Sequence, residues 1–540
     1  MSNMYNSGMR NARLTPFPVA LAAIVALAAL LRLWAIDFGL PLVTHPDEPL
    51  IVDAAARMVT AHSLNPHWYR YPAFIIDIEA GLLAVVRRAG LDDAAQRRWA
   101  LEAGRLVMAA FAVATVCLTG VLGRRLARLA GRSRRAVDAD VDADIAGLAA
   151  AALLAVSFVH VKDAHFLKPD VPTGFFTALT LWCTLNAWER GSLSARQWLA
   201  AGVALGLATA TKYTGAAAAL VPALALALLA GRDLRALLRP LLALSAAAAL
   251  VFIILNPFAV LTPRAFLWSV DGVQAELTHY ATGHDGAEGN DTWRWYILEV
   301  GRSGFGALPA LLVACGVLAA LVVLARTHAG DTARVLALPL AFIVAYYALI
   351  ARYPVRFDRQ LIPALPYLAV VGGFGVAELL HVARRYRGVP RPALLALTLL
   401  ALLSAPQVAR AVRWDRTQSV RDTRYVALDW LEAHVPPGTP VAREWYTPPV
   451  AQAGYGDIPV RKTDDQSLAW YRAAGAQYLL LSSFMFQRYL DDPNLYPADA
   501  AFYRALLAQP RQVTITGRNG PVVIIMRIDD AAPAFASVAQ

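Results

Sequence analysis

The stretch Tyr71–Arg88, YPAFIIDIEAGLLAVVRR, decides which way round the chain sits in a membrane. It is apolar enough to suggest a span, yet short, with Asp77 and Glu79 in its middle. Each such charge costs about 2.5–3.5 kcal/mol at the centre of a spanning helix. Phe74, Ile78, Leu82 and Val85 recur at helical spacing with both carboxylates off that stripe. That pattern predicts a helix lying in the interface rather than one crossing it.

Around this segment the 540-residue chain is 58% hydrophobic, and apolar runs of about 20 residues recur through its first three quarters. Candidate spans are 18–36, 104–122, 145–161, 171–188, 197–212, 214–230, 240–256, 304–325, 335–351, 361–380 and 392–408. The first run is too long for a signal peptide, and no small-residue cleavage site follows it. Leaving 71–88 out of the count gives about eleven crossings, and the arginines then fall on one side. Arg124, Arg125, Arg128, Arg132, Arg134 and Arg135 are inside, with Arg232, Arg235, Arg239, Arg384, Arg385, Arg387 and Arg391. Arg87, Arg88, Arg97 and Arg98 are the exception. The positive-inside rule therefore predicts a multi-pass protein of the inner (plasma) membrane, N-terminus cytoplasmic and C-terminus periplasmic. The net charge of +11 reads as this loop asymmetry and not as a nucleic-acid surface. Cys117, Cys183 and Cys315 fall in apolar runs and read as packing residues, with no disulfide framework.

With that orientation, the polar segments meet on the outer side. They are residues 37–103 with Thr44–Pro49 (THPDEP), His160–Asp170 (HVKDAHFLKPD), the long loop 257–303, and Arg352–Gln360 (RYPVRFDRQ). In the first, Asp47 suits a helix cap and Glu48 and Pro49 a first turn. A carboxylate at a helix start is also held ionised and oriented. Lys162, Asp163, His165, Lys168 and Asp170 crowd a short loop, and Asp170 again resembles a cap. Lys212 interrupts an apolar region, where it either snorkels to lipid phosphates or holds the phosphate of a lipid substrate. Arg352, Arg356 and Arg359 read as headgroup anchors or as a site for an anionic ligand. The segment 282–291, TGHDGAEGND, reads as a mobile loop that closes over a ligand or as an ordinary flexible one.

Four motifs in order on one face, HPDE, HFLKPDVPTGFF, TKYTG and RYPVRFDRQLIPALP, resemble the bacterial relatives of the protein O-mannosyltransferases. These are membrane glycosyltransferases of the GT-C fold, a group that also includes the lipid A aminoarabinose transferases. The resemblance implies a mainly α, polytopic helical bundle with interfacial helices in its first outer loop. It implies transfer of a sugar from a polyprenyl-phosphate donor to a hydroxyl of a protein, glycolipid or polysaccharide precursor, with inversion. Asp47 matches the family's catalytic acidic residue and is the expected general base, with Glu48 orienting the acceptor or positioning that base. Lys212, Arg352, Arg356, Arg359 and Lys168 are the expected cations for the leaving phosphate. His45, Asp163, His165 and Asp170 are expected to line the sugar or acceptor pocket. A divalent metal held by His45, Asp47 and Asp170 is left open.

The domains expected are a transmembrane catalytic region, 1–408, and a soluble α/β tail, 409–540. In the tail RDTRYVALDWLEAHVPPGTPV reads as helix, turn and strand, AGAQYLLLSS and GPVVIIMRI as further strands, and 464–474 and 498–508 as helices. It shows no nucleotide-binding glycine loop, and an outward domain has no access to nucleotide sugars. A transporter or flippase of lipid-linked glycans is the rival class. It predicts charges near the bilayer midplane and internal repeats, and neither is visible here.

Overall fold

The computed structural model describes residues 16–42, 45–131, 136–328, 332–384 and 392–528. Arg132, Arg134, Arg135, Arg385, Arg387 and Arg391 lie outside the described residues. The first half of the bundle runs α1 (Pro16–Leu33), α2 (Asp47–Thr60), α3 (Phe74–Val86), α4 (Asp93–Ala130) and α5 (Ala136–Ala155). It continues through α6 (Phe158–Asp163), α7 (Asp170–Glu189), α8 (Ala195–Thr211), α9 (Leu220–Ala230) and α10 (Leu234–Leu255). The long loop holds α11 (Phe258–Leu261), α12 (Pro263–Trp268), α13 (Val273–Thr282) and α14 (Thr292–Glu299). The bundle closes with α15 (Ala307–Ala325), α16 (Ala337–Ala351), α17 (Leu365–Arg384) and α18 (Pro392–Gln418). Each expected span is largely helical, but 145–161 is broken between α5 and α6, and 214–230 and 361–380 each open on a 3-10 turn. Among the described residues, 6 helices are long and apolar enough by themselves to cross a membrane.

At 13 residues, α3 rises about 20 Å, short of the roughly 30 Å apolar core of a bilayer. It packs on α2 and α4, and its start is fixed by Asn256, whose Oδ1 accepts the Ala73 amide at 2.8 Å. With 38 residues, α4 runs about 57 Å and stands well clear of a bilayer. Its first turns are capped by Asp92, which accepts from the Ala95 amide at 2.8 Å. Elsewhere the helices approach closely through small residues. Gly202 and Gly206 on α8 face the α10 backbone, where an added Cβ would lie 2.4 Å from the Leu244 carbonyl oxygen and 2.7 Å from that of Ala248.

The helix ends sort into two sets. At one, Arg124 pairs with Asp144 at 2.5 Å, Arg125 with Glu189 at 2.7 Å and Arg384 with Asp142 at 2.6 Å. At the other lie α2, α3, the α6–α7 loop, the start of α9 and the long loop. The tail packs there too: Tyr425 donates to the Gly39 carbonyl at 3.2 Å and accepts the Leu42 amide at 3.0 Å. The helix over the last span continues to Gln418, past the expected limit at 408.

In the tail, α19 (Thr423–His434) precedes a five-stranded sheet of order β2-β1-β3-β5-β4. The strands are β1 (Pro440–Arg443), β2 (Gly456–Pro459), β3 (Tyr478–Ser482), β4 (Val513–Ile515) and β5 (Val523–Arg527). Parallel pairing joins β1 to both β2 and β3; β5 runs antiparallel to β3 and β4. The helices α20 (Leu468–Ala473), α21 (Ser483–Asp491) and α22 (Pro497–Leu507) complete it. The strands read in the sequence as YLLLS and VVIIMR are the central pair β3 and β5.

One buried ion pair ties the site end together. Arg105 of α4 donates from Nε to Glu48 Oε1 at 2.8 Å and from Nη2 to Oε2 at 2.7 Å, with both side chains fully buried. Its Nη1 also donates to the Phe38 carbonyl at 2.8 Å, and the guanidinium lies 4.4 Å from the Phe38 ring centre. Such a pair is stable only when every charge is bonded; removing one partner costs about 3–5 kcal/mol. Arg105→Ala is therefore expected to lower the unfolding free energy by about that much, read as a fall in melting temperature of the detergent-solubilised protein. The double variant Arg105→Met/Glu48→Leu should recover a large part of the loss.

Candidate active site

The helix α2 begins at Asp47, and successive residues on it point about 100° apart. Glu48 turns inward to Arg105, and its Oε1 also accepts the Leu167 amide at 2.9 Å. Asp47 turns the other way. Its carboxylate does not cap: the residue before the helix is Pro46, with no side-chain cap bond. Oδ2 of Asp47 is buried without a hydrogen-bond partner, 3.5 Å from Nη2 of Arg359. His45 Nδ1 accepts the Asp47 amide N–H at 3.1 Å, and its ring sits 4.5 Å from that of Phe166. Burial and the charge of Lys168 hold His45 well below its ordinary value, so it is neutral. An accepting Nδ1 leaves the proton on Nε2.

Around this carboxylate, acids and cations alternate. Lys212, at the end of α8, bonds Asp170 at the start of α7 at 2.6 Å. Lys168 bonds Asp163, and Lys162 bonds Asp358 from the 3-10 turn Asp358–Ala364. Burial alone would raise the Asp47 carboxyl, but Arg359 foremost, with Lys168 and Lys212 behind it, brings it below the usual carboxylate range. The chain thus draws together Asp47, His45, Asp163, Lys168, Asp170, Lys212 and Arg359, all expected from the sequence.

Other expected residues stand elsewhere. His165 does not line the opening: it is fully buried, with Nδ1 2.9 Å from the Val161 carbonyl oxygen and Nε2 3.0 Å from that of Trp34. Glu48 is saturated by its clamp and faces no open space. Arg352 packs beside Tyr353, and Arg356 lies over the Trp295 ring, 5.6 Å from its centre, against Gly289. Neither is among the charges that chiefly act on Asp47. Lys162, part of the polar loop but not among the expected site residues, and Asp358, not expected at all, complete the set. Asp358 lies inside RYPVRFDRQ, read only for its arginines.

The residues do not form a metal site. Asp170 is bonded to Lys212, Asp47 faces Arg359, and the Nδ1 of His45 is taken by a backbone amide. Among the described residues no three His, Cys, Asp or Glu side chains are grouped to hold an ion.

The loop read as mobile is latched from two sides. Asp285 pairs with Arg461 of the tail at 2.7 Å and accepts from the Tyr489 hydroxyl at 2.8 Å; Glu288 accepts from the Tyr496 hydroxyl at 2.6 Å. On its other side the Ala287 carbonyl accepts the Arg356 amide at 2.7 Å.

Residues 143–260 match the family model described as dolichyl-phosphate-mannose-protein mannosyltransferase. No curated protein matches the chain by sequence. In structure it is similar to ArnT from Cupriavidus metallidurans bound to undecaprenyl phosphate, with TM-score 0.53 and 15% identity over 96% of this chain and 99% of that one. It is also similar to the archaeal oligosaccharyltransferase AglB from Archaeoglobus fulgidus, in complex with an inhibitory peptide and a dolichol-phosphate. There the TM-score is 0.57 and the identity 13%, over 88% of this chain and 71% of that one. The chain has the GT-C fold. In this GT-C bundle α2 and α3 lie between α1 and α4, where the resemblance implied short helices in a first loop, and the protein is a multi-pass membrane protein.

Behind the clamp, Glu79 of α3 is fully buried with neither oxygen bonded, wedged against Gly104 of α4. Burial, helped by nearby Glu48, pushes its carboxyl up to about 8. An acid raised on folding holds a proton that the unfolded chain has released, so stability falls as pH rises from about 4.3 towards 8. Glu79→Gln should therefore match wild type in melting temperature near pH 4. It should melt several degrees higher by pH 8. A constant offset across that range would contradict a protonated Glu79.

Proposed function

We propose that the protein transfers a sugar from a polyprenyl-phosphate carrier to an acceptor hydroxyl on the periplasmic side of the inner membrane, inverting the anomeric centre. The observation that carries this reading is the Asp47 carboxylate, ionised, half-buried and unbonded beside Arg359, in a chain with the GT-C fold. Support for the carrier comes from the ArnT and AglB structures, which hold undecaprenyl phosphate and dolichol-phosphate. Support for the orientation comes from Arg124, Arg125, Arg128 and Arg384, which gather at the helix ends remote from Asp47.

The paired network suits this chemistry. The donor is a phosphodiester, and its phosphate competes with Asp47 for Arg359, with Lys212 and Lys168 close by. Losing Arg359 makes Asp47 a stronger base at the moment a donor is present. The acceptor oxygen then attacks the anomeric carbon from the face opposite the phosphate, and its proton passes to Asp47. The bond from the anomeric carbon to the phosphate oxygen breaks, and polyprenyl phosphate leaves with that electron pair and one further negative charge. Negative charge thus moves from Asp47 to the phosphate within a site whose cations are already in place. Glu48 acts as a positioning residue, aiming Asp47 through the Arg105 clamp.

The test supplies purified protein in nanodiscs with a panel of polyprenyl-phosphate sugars and follows release of polyprenyl phosphate. Wild type should turn over one of them. Asp47→Asn should lower kcat by about 100-fold or more, the usual contribution of a general base, with donor KM within threefold. Turnover equal to wild type would remove Asp47 from the reaction.

A further inference from the structure

A cavity of about 400 Å³ lies between the membrane bundle and the tail, with Asp47 and Arg359 among its lining residues. That volume is within the range of small-molecule sites. Phe166 and Trp414 form its wall on the bundle side, and Trp445, Tyr446 and Phe484 its wall on the tail side. Trp445 and Phe484 remain 48% and 49% exposed, large apolar surfaces for a folded domain to leave open.

The tail wall is built, not incidental. Trp445 and Tyr446 follow β1, and Phe484 follows β3. These strands are parallel neighbours, and the chain leaves β1 towards β2 on one side and leaves β3 towards β4 on the other. The cavity therefore meets the carboxyl ends of two parallel strands where the strand order reverses, the place where open α/β sheets receive ligands. Between the strand and the rings stands Glu444, fully buried, which accepts from the Ser482 amide at 2.7 Å, Thr463 Oγ1 at 2.8 Å and the Tyr503 hydroxyl at 2.8 Å. It holds the ends of β1 and β3 in register. Tyr446 itself adopts φ +68, a left-handed conformation uncommon for a tyrosine, and packs beneath Arg488.

We propose that this cavity is the acceptor site and that its occupant is a carbohydrate, one or two sugar rings stacked on Trp445, Phe484 and Trp414 with a hydroxyl presented to Asp47. The inference rests on Asp47 being the base of glycosyl transfer. Sugar rings have apolar faces and polar rims, and the wall matches them: flat aromatic faces, with the amides of Gln418 and Asn519 beside them. A peptide acceptor is favoured by a free sheet edge, where its main chain can pair. Here the edge strands are β2 and β4, whereas the rings come from the ends of β1 and β3.

The full chain in detergent micelles can be examined by saturation-transfer NMR against neutral oligosaccharides, glycolipids and Ser/Thr peptides. Transfer to sugar-ring protons is expected. It should drop at least fivefold in Trp445→Ala and in Phe484→Ala, and return in Trp445→Tyr, with melting temperatures near wild type for all three. Binding of free oligosaccharides marks a soluble glycan acceptor. Binding of glycolipids alone marks a lipid-linked one, and both outcomes support the proposal. Peptide binding without glycan binding overturns it, as does glycan binding that survives loss of both rings. Ring-dependent glycan binding with no turnover of any polyprenyl-phosphate sugar would instead refute the transferase reading and leave the carbohydrate site standing.

Discussion

The Arg105–Glu48 pair is the constraint on which the site end depends. Arg105 sits on the part of α4 beside α3, and Glu48 one residue past the start of α2. Their two parallel bonds fix the rotation of α2 about its axis, and the Leu167 amide on the same carboxylate fixes the α6–α7 loop against it. With that rotation set, Asp47 has one direction left to face. The neighbouring acids of HPDE thus divide the work. One is consumed by structure so that the other stays free of bonds.

The rest of the site is held in electrostatic balance. Asp170, Asp163 and Asp358 each take a lysine, and Asp47 faces Arg359 at a distance too long for a good hydrogen bond. Burying this many charges is tolerable because they are paired. The loosest of the pairs is the one at Asp47. A phosphate entering here meets cations whose positions the fold has already fixed, so little reorganisation accompanies the shift of charge in the reaction.

Much of this was legible in the sequence because hydropathy and charge are strong signals. The spans followed from run length. That 71–88 is too short to count as a span followed from its length and its two acids, although Glu79 proves to stand on the buried face with Ile75, Ile76 and Leu83, and the gathering of the polar loops at one end followed from arginine asymmetry. The resemblance gave Asp47 as the base, with Glu48 orienting the acceptor or positioning that base. Which of these two Glu48 does was not legible, since it depends on a rotation set by Arg105, a charge hidden in an otherwise apolar run. Asp358 was obscured by the arginines on either side of it, and the part played by Lys162 depends on that acid, 196 residues away in the chain. His165 stood in a suggestive motif, but its ring faces carbonyls in the core. The aromatic wall of the tail was invisible for another reason. Trp445 and Phe484 are about forty residues apart and meet only because β1 and β3 are adjacent in the sheet.

The latch at Asp285 and Glu288 carries a consequence for how such proteins can be recombined. Those two acids belong to the membrane region, while their partners Arg461, Tyr489 and Tyr496 belong to the tail. Grafting a foreign tail onto this bundle would strip a hairpin-like segment of its anchors unless matching side chains travelled with it. The two modules look separable along the chain, yet they share the side chains that hold this segment in place.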